Sequence, residues 1–297
     1  MTDIDVIEVC PRDGLQNESV TLSVDERVSL IEQLVQAGAR RIEAVSFVHP
    51  TRVPQMAGAE AVMARLPRSE SVRYAGLVLN EHGMERALGC NLDEINVVVP
   101  CTDEMSERNQ GVTVAAMLAA TRNIVRAARA EQRFVTLTVA VAFGCPFSGE
   151  VPLEKVARIM NEAADIGVDE IALADTIGVG VPDQVARLIA LASDRAPRIP
   201  LRFHFHNTRN TGYANALRAV AEGVGVLDAS VGGFGGCPFA PAATGNIATE
   251  DIHYALVRSG FRTGLDRGQL VSIATWLEDR LVKTAPALLG RAGPFPQ

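Results

Sequence analysis

The sequence predicts an α/β fold, a (β/α)8 TIM barrel with a short C-terminal helical extension, and three observations lead there. Short β-branched runs alternate with longer helical patterns eight times. The 297 residues suit one such barrel. The competing architecture, a doubly wound sheet, gives the same alternation, but no G-x-G-x-x-G follows the first strand and no G-x-x-x-x-G-K-[ST] occurs. Residues 1–262 are assigned to the barrel domain and 263–297 to an extension packed on it.

In chain order, strand Ile4–Val9 leads to helix Val24–Ala37, opened by the capping box Ser23-x-x-Glu26 and closed by Gly38. Strand Arg41–Phe47 precedes helix Gly58–Leu66, Val72–Val78 precedes Glu81–Leu88, and Glu94–Val99 precedes Thr113–Ala130. Strand Phe134–Ala142 belongs to the most apolar stretch, about half of the ~18 residues a membrane span needs. Its helix, Leu153–Ile166, has Pro152 where a first turn tolerates proline and Gly167 past its end. Glu170–Ala174 pairs with Pro182–Ser193, Leu201–Phe205 with Thr211–Glu222, and Val226–Val231 with Thr249–Arg258. Gln269–Val282 then reads as a further helix, before a small, apolar, Pro/Gly-bearing tail.

Lys and Arg number 28 against 35 Asp and Glu, a net charge of −7, which excludes a nucleic-acid binder held by bulk electrostatics. With 47% hydrophobic and 21% charged residues the composition is globular, not disordered. Five cysteines without a C-x-x-C pair fit a reducing compartment. The acidic MTDIDVIEV start carries no basic leader, so the expectation is a soluble, cytoplasmic protein with neither membrane nor nucleic-acid partner.

Chemistry-bearing residues gather at strand ends, which in a barrel form the active face. Strand one ends in Pro11-Arg12-Asp13-Gly14-Leu15-Gln16-Asn17-Glu18; strand two carries Glu43 and Ser46; strand six ends Ala174-Asp175-Thr176. Strand seven ends His204-Phe205-His206-Asn207. Residues i and i+2 share a strand face, so both imidazoles converge while Phe203 and Phe205 point away. Asp13 and Asn246 are at hand from neighbouring strands one and eight, and two nitrogens with two oxygens suit octahedral Mg2+ or Mn2+ better than closed tetrahedral zinc. The plainer alternative is a pair of histidines in ordinary hydrogen bonds. Cys237 follows Gly232, Gly233, Gly235 and Gly236, a backbone suited to a moving loop, where a thiol can exchange protons; an incidental cysteine in a tight loop is the alternative. Cys10, Cys90, Cys101 and Cys145 read as structural, Glu8 as a buried support, and Arg12 with Glu43 as an ion pair over the barrel mouth.

These motifs resemble the 3-hydroxy-3-methylglutaryl-CoA (HMG-CoA) lyase family, metal-dependent DRE-TIM-type barrels. The landmarks are EVCPRDGLQNE, IEAVSFVHP, VPQMAG, FGCPFSGEV, ADTIGVGVP, HFHNT, SVGGFGGCPFAPAATGN and IATED, spanning about Ile7 to Arg280. The resemblance implies metal ligands at Asp13, His204, His206 and Asn246, Arg12 for a thioester enolate, Cys237 as mobile acid/base, and Asp175 and Glu43 as polar catalytic partners. Gln16 and Ser46 match substrate-pocket positions. It further implies an acyl-CoA substrate, a homodimer or higher homo-oligomer, and cleavage of HMG-CoA to acetoacetate and acetyl-CoA, with His204 or Asp175 taking the hydroxyl proton. Three departures bear on the acyl group: Asn207 and Arg209 stand where the family has Asp and Tyr, and Ala242 replaces a glycine. Citramalyl-CoA and longer 3-methylglutaryl-CoA homologues are therefore alternative substrates. A condensing acyltransferase would share Arg12, Asp13 and the H-x-H pair without needing the cysteine loop, and a catalytically idle scaffold would not need all four ligand positions.

Overall fold

Eight parallel strands, adjacent in space as in sequence, close into a barrel: β1 Asp5–Glu8, β2 Arg41–Ser46, β3 Arg73–Leu77, β4 Glu94–Pro100, β5 Phe134–Ala140, β6 Glu170–Asp175, β7 Leu201–Phe205 and β8 Val226–Ala229. β1 pairs with β8 over its whole length, Asp5 against Val226 through Glu8 against Ala229, and this closes the sheet. The computed structural model describes residues 2–236, 245–293 and 295. Each predicted strand is present. β5 stops two residues early because Val141 takes a left-handed φ of 56°, and β8 gives way to a tight turn at Val231–Gly233.

Helices coat the barrel: α1 Val24–Gln36, α2 Ala59–Met63, α3 Glu81–Leu88, α4 Asp103–Gln110, α5 Val114–Ala130, α6 Leu153–Ile166, α7 Pro182–Arg195, α8 Gly212–Ala221, α9 Thr249–Arg258, α10 Arg267–Leu281 and α11 Leu289–Ala292. The capping box on α1 forms in both directions, between Ser23 and Glu26. Gly58 cannot open α2 as expected because its φ is +73°, so that helix begins one residue later. Pro152 stands before the first turn of α6, not within it. Helix α4 is an addition to the sequence reading. Its N-cap is Thr102 and its left-handed C-cap Gly111, but only Met105 and Ser106 are buried, so it shows no apolar period. α10 packs against α1, α9 and the Val231–Gly233 turn. No helix among the described residues is long and apolar enough to cross a membrane.

Alternation along β7 divides its side chains as predicted. Phe203 and Phe205 are fully buried outside the barrel, stacked 5.4 Å apart with Phe143 edge-on to Phe205 at 5.7 Å. Arg202 and His204 turn inward. The barrel interior is charged: Arg41 bonds Glu94 and Glu170, while Arg202 bonds Asp228 through two nitrogens. Partners are matched donor to acceptor, which a charge taken out of water requires.

Candidate active site

The segment after β1 coils into a wide π-helical turn, Cys10–Gly14, in which the amides of Arg12, Asp13 and Gly14 all point at the Val9 carbonyl. Such turns are uncommon and cluster at functional sites. Glu8 supports this one from below. Fully buried, it accepts from the Cys10 and Val231 amides and from the Thr249 hydroxyl, as its sequence reading as a support anticipates.

Arg12 and Asp13 thereby face the barrel mouth. Arg12 Nε donates to Glu43 Oε2 at 2.7 Å and Nη1 donates to Asp13 Oδ1 at 2.6 Å. Burial acts to lower the guanidinium's pKa, but Glu43 and Asp13 outweigh it and raise the value. Asp13 Oδ2 looks toward His204 Nε2 at 3.8 Å and His206 Nε2 at 4.0 Å. Against a burial penalty, Arg12 and the two imidazoles hold the Asp13 carboxyl well below the usual carboxylate range. Asn246 reaches the same point because its backbone bridges to His206, with the Asn207 amide on the Gly245 carbonyl and the Ile247 amide on that of Phe205. The Asn246 amide donates to Asp13 Oδ2 at 2.9 Å and to the Phe234 carbonyl.

This set fits a divalent cation. One ligand atom each from Asp13, His204 and His206 lies within 4.8 Å of the others, and donors around a hard cation at about 2.1 Å stand roughly 3–4 Å apart. Asn246 Oδ1 is buried with no hydrogen-bond partner, which is costly unless a cation or donor meets its lone pairs. Burial, with His204 alongside, pushes the His206 pKa down to about 4, so that ring is neutral and able to ligate. His204 differs. Burial alone would lower its pKa, but a 3.0 Å contact between Nδ1 and Asp228 Oδ2, with Asp13 beyond, raises it.

These groups open into a cleft of about 520 Å³ lined by Arg12, Asp13, Gln16, His204 and His206, within the range of small-molecule sites. Asp228, Asn96 and Thr138 also line it, three polar residues the sequence reading passed over. One wall is apolar and comes largely from α4 and α5, with Met105, Val112, Ala116 and Met117.

Other predicted residues stand apart. Asp175 is fully buried, does not line the cleft, and spends both oxygens on the Val179 and Gly180 amides. Glu43 and Ser46 are buried behind the lining, Ser46 Oγ without a partner. Asn207 and Arg209 also lie off the cleft: Asn207 Oδ1 accepts from the Gly212 amide, and Arg209 donates to the carbonyls of Ile177 and Gly178. Cys237 and Ala242 lie outside the described residues. Just before Cys237, Gly236 lines the cleft and its carbonyl accepts from Asn17 at 2.7 Å.

Comparison with known proteins gives this constellation its family. The HMGL-like family model matches residues 3–277. The chain belongs to the HMG-CoA lyase family. It is a carbon–carbon lyase. An (R)-citramalyl-CoA lyase of Chloroflexus aurantiacus is 42% identical over 100% of this chain and 97% of its own. A hydroxymethylglutaryl-CoA lyase of Pseudomonas mevalonii is 40% identical, covering 95% and 93% respectively. A crystal structure of an HMG-CoA lyase from Acinetobacter baumannii, in complex with coenzyme A and 3-methylmalate, superposes with a TM-score of 0.94 at 36% identity, covering 99% of this chain and 96% of that one. The HMG-CoA lyase relationship thus extends over the whole barrel.

Proposed function

We propose that this lyase cleaves a 3-hydroxy-3-methylacyl-CoA by retro-Claisen chemistry, with HMG-CoA as substrate and acetoacetate and acetyl-CoA as products. The observation that carries the reading is that a fixed guanidinium, Arg12, shares one cleft with three donors, Asp13, His204 and His206, and Asn246 is hydrogen-bonded to Asp13 beside them. A divalent cation, Mg2+ or Mn2+, held by Asp13, His204, His206 and Asn246 would supply the Lewis acidity that makes a tertiary hydroxyl easier to deprotonate.

The remaining work falls to the chain's own groups. Arg12, pinned between Glu43 and Asp13, presents a preorganised positive charge to the thioester oxygen as the C–C bond breaks and the enolate forms. Asp175, with both oxygens on backbone amides, holds the turn after β6; His204, with Asp228 on Nδ1 and Nε2 turned to Asp13, serves the cation's binding. Gln16 lines the cleft, and its carbonyl oxygen, Oε1, is buried without a partner. Cys237 is the acid that returns a proton to the enolate carbon, a role supported by the anchoring of neighbouring Gly236 at the cleft edge through Asn17.

A second reading is supported by the 42% identity to a citramalyl-CoA lyase. The same bond would break in a substrate one methylene shorter, giving pyruvate and acetyl-CoA. Parallel assays with Mg2+ decide between them: acetoacetate from HMG-CoA at the higher kcat/KM supports the first, pyruvate from citramalyl-CoA the second. Turnover of neither would overturn both.

A further inference from the structure

Glu43 and Asn96 stand on β2 and β4, with β3 between them, yet their side chains meet inside the barrel. Ala75, the register partner of Glu43 on β3, is small enough to let them pass. Asn96 Nδ2 donates to Glu43 Oε1 at 2.7 Å, and Asn96 Oδ1 accepts from the Thr138 hydroxyl of β5 at 2.8 Å. Since Glu43 Oε2 already accepts from Arg12 Nε, three strands feed one chain of donors: Thr138 to Asn96, Asn96 to Glu43, Arg12 to Glu43.

We propose that Asn96 and Thr138 are positioning residues for Arg12, acting through Glu43. Asn96 is 2% exposed, set among Ile95, Val97, Val98 and Val99 of β4, where a polar side chain is costly unless bonded. An amide that accepts a hydrogen bond becomes a better donor, so Thr138 strengthens the hold of Asn96 on Glu43. With one carboxylate oxygen fixed by Asn96, the other is left at one position for the guanidinium. Thr138 is only half-buried and lines the cleft with Arg12, so the far end of the chain lies where substrate sits. The proposal rests on Arg12 serving the enolate; the relay itself does not.

Thr138→Val keeps the shape and removes the hydroxyl; Thr138→Ser keeps the hydroxyl. Thr138→Val is expected to lower kcat about tenfold, the effect of one hydrogen bond, with KM little changed. Thr138→Ser should restore most of it, and Thr138→Val should add little to a Glu43→Gln enzyme, as members of one network are non-additive. The 15N-detected Arg12 Nε–H resonance of the substrate-free protein should move in Thr138→Val and in Asn96→Leu, a readout independent of turnover. A stationary resonance with full kcat in Thr138→Val would overturn the relay. So would a loss confined to KM and additive with Glu43→Gln, which makes Thr138 a direct substrate contact, or a fall in Tm alone. Arg12→Gln assayed alongside separates the two levels: retained kcat there removes the enolate role, whatever the resonance shows.

Discussion

Asp228 Oδ2 stands 3.0 Å from His204 Nδ1 and so turns the other nitrogen of that ring toward Asp13. Asp228 is in turn gripped by Arg202, leaving it little freedom. A carboxylate behind a ligating imidazole fixes the ring and its tautomer.

Asp228→Asn should therefore weaken Mg2+ or Mn2+ binding, measured by calorimetry, by about 10–100-fold with a parallel loss of kcat. EDTA should abolish wild-type turnover and added Mg2+ or Mn2+ restore it. Unchanged turnover in metal-free protein would remove Asp13, His204, His206 and Asn246 from the ligand set.

Arg12→Gln should fold and bind metal as before while losing about 10²–10³ in kcat, as expected when a preorganised charge is withdrawn from a developing oxyanion. An enzyme with raised KM and near wild-type kcat would make Arg12 a binder of the ground state.

For Cys237→Ala the expected loss is about 10²–10⁴ in kcat with metal affinity intact, the scale of positioned proton transfer. Alkylation should inactivate the wild type, more slowly with saturating substrate, and peptide mass spectrometry should find the adduct on Cys237. Full kcat in the alanine variant would reject the acid role.

Stability should vary with pH through two carboxyls beneath the Gly232 turn. Burial raises the pKa of Glu8 to about 7 and of Glu250 to about 8, from an ordinary 4.5. Between these values the folded protein binds more protons than the unfolded chain, so stability falls as pH rises from about 4.5 to about 8 and then levels off. Glu250→Gln should flatten this fall: relative to wild type, its Tm should improve between about pH 5.5 and pH 8.5. Equal slopes for the two proteins would refute the assignment.

The sequence was most legible where periodicity speaks. Most strands stood out as β-branched runs, and in β7, which has none, His204 and His206 announced a shared face by their spacing of two. Asp13 is singled out in the polar turn after strand one and Asn246 in the loop beyond strand eight, where polar residues have no packing reason to gather. Helix α4 was missed because Asp103–Gln110 buries only two residues, although Thr102 and Gly111 marked both its ends. Asn96 was hidden in an apolar run, and Asp228 among small residues. Their roles depend on which side chains meet across the barrel, a property of closure and register that no local pattern records. The spacing of Arg202 two residues before His204 was the one available signal for the support beneath the site.

Inside the barrel, Arg41 is shared by Glu94 and Glu170, and Glu170 also accepts from Thr136. Deleting one member strands the others, at about 3–5 kcal/mol for a broken buried pair, whereas exchanging the whole set for well-packed apolar residues is often neutral. Drift at these positions is therefore correlated: descendants of this chain inherit the charges together or lose them together. The floor of the barrel is built to change in blocks.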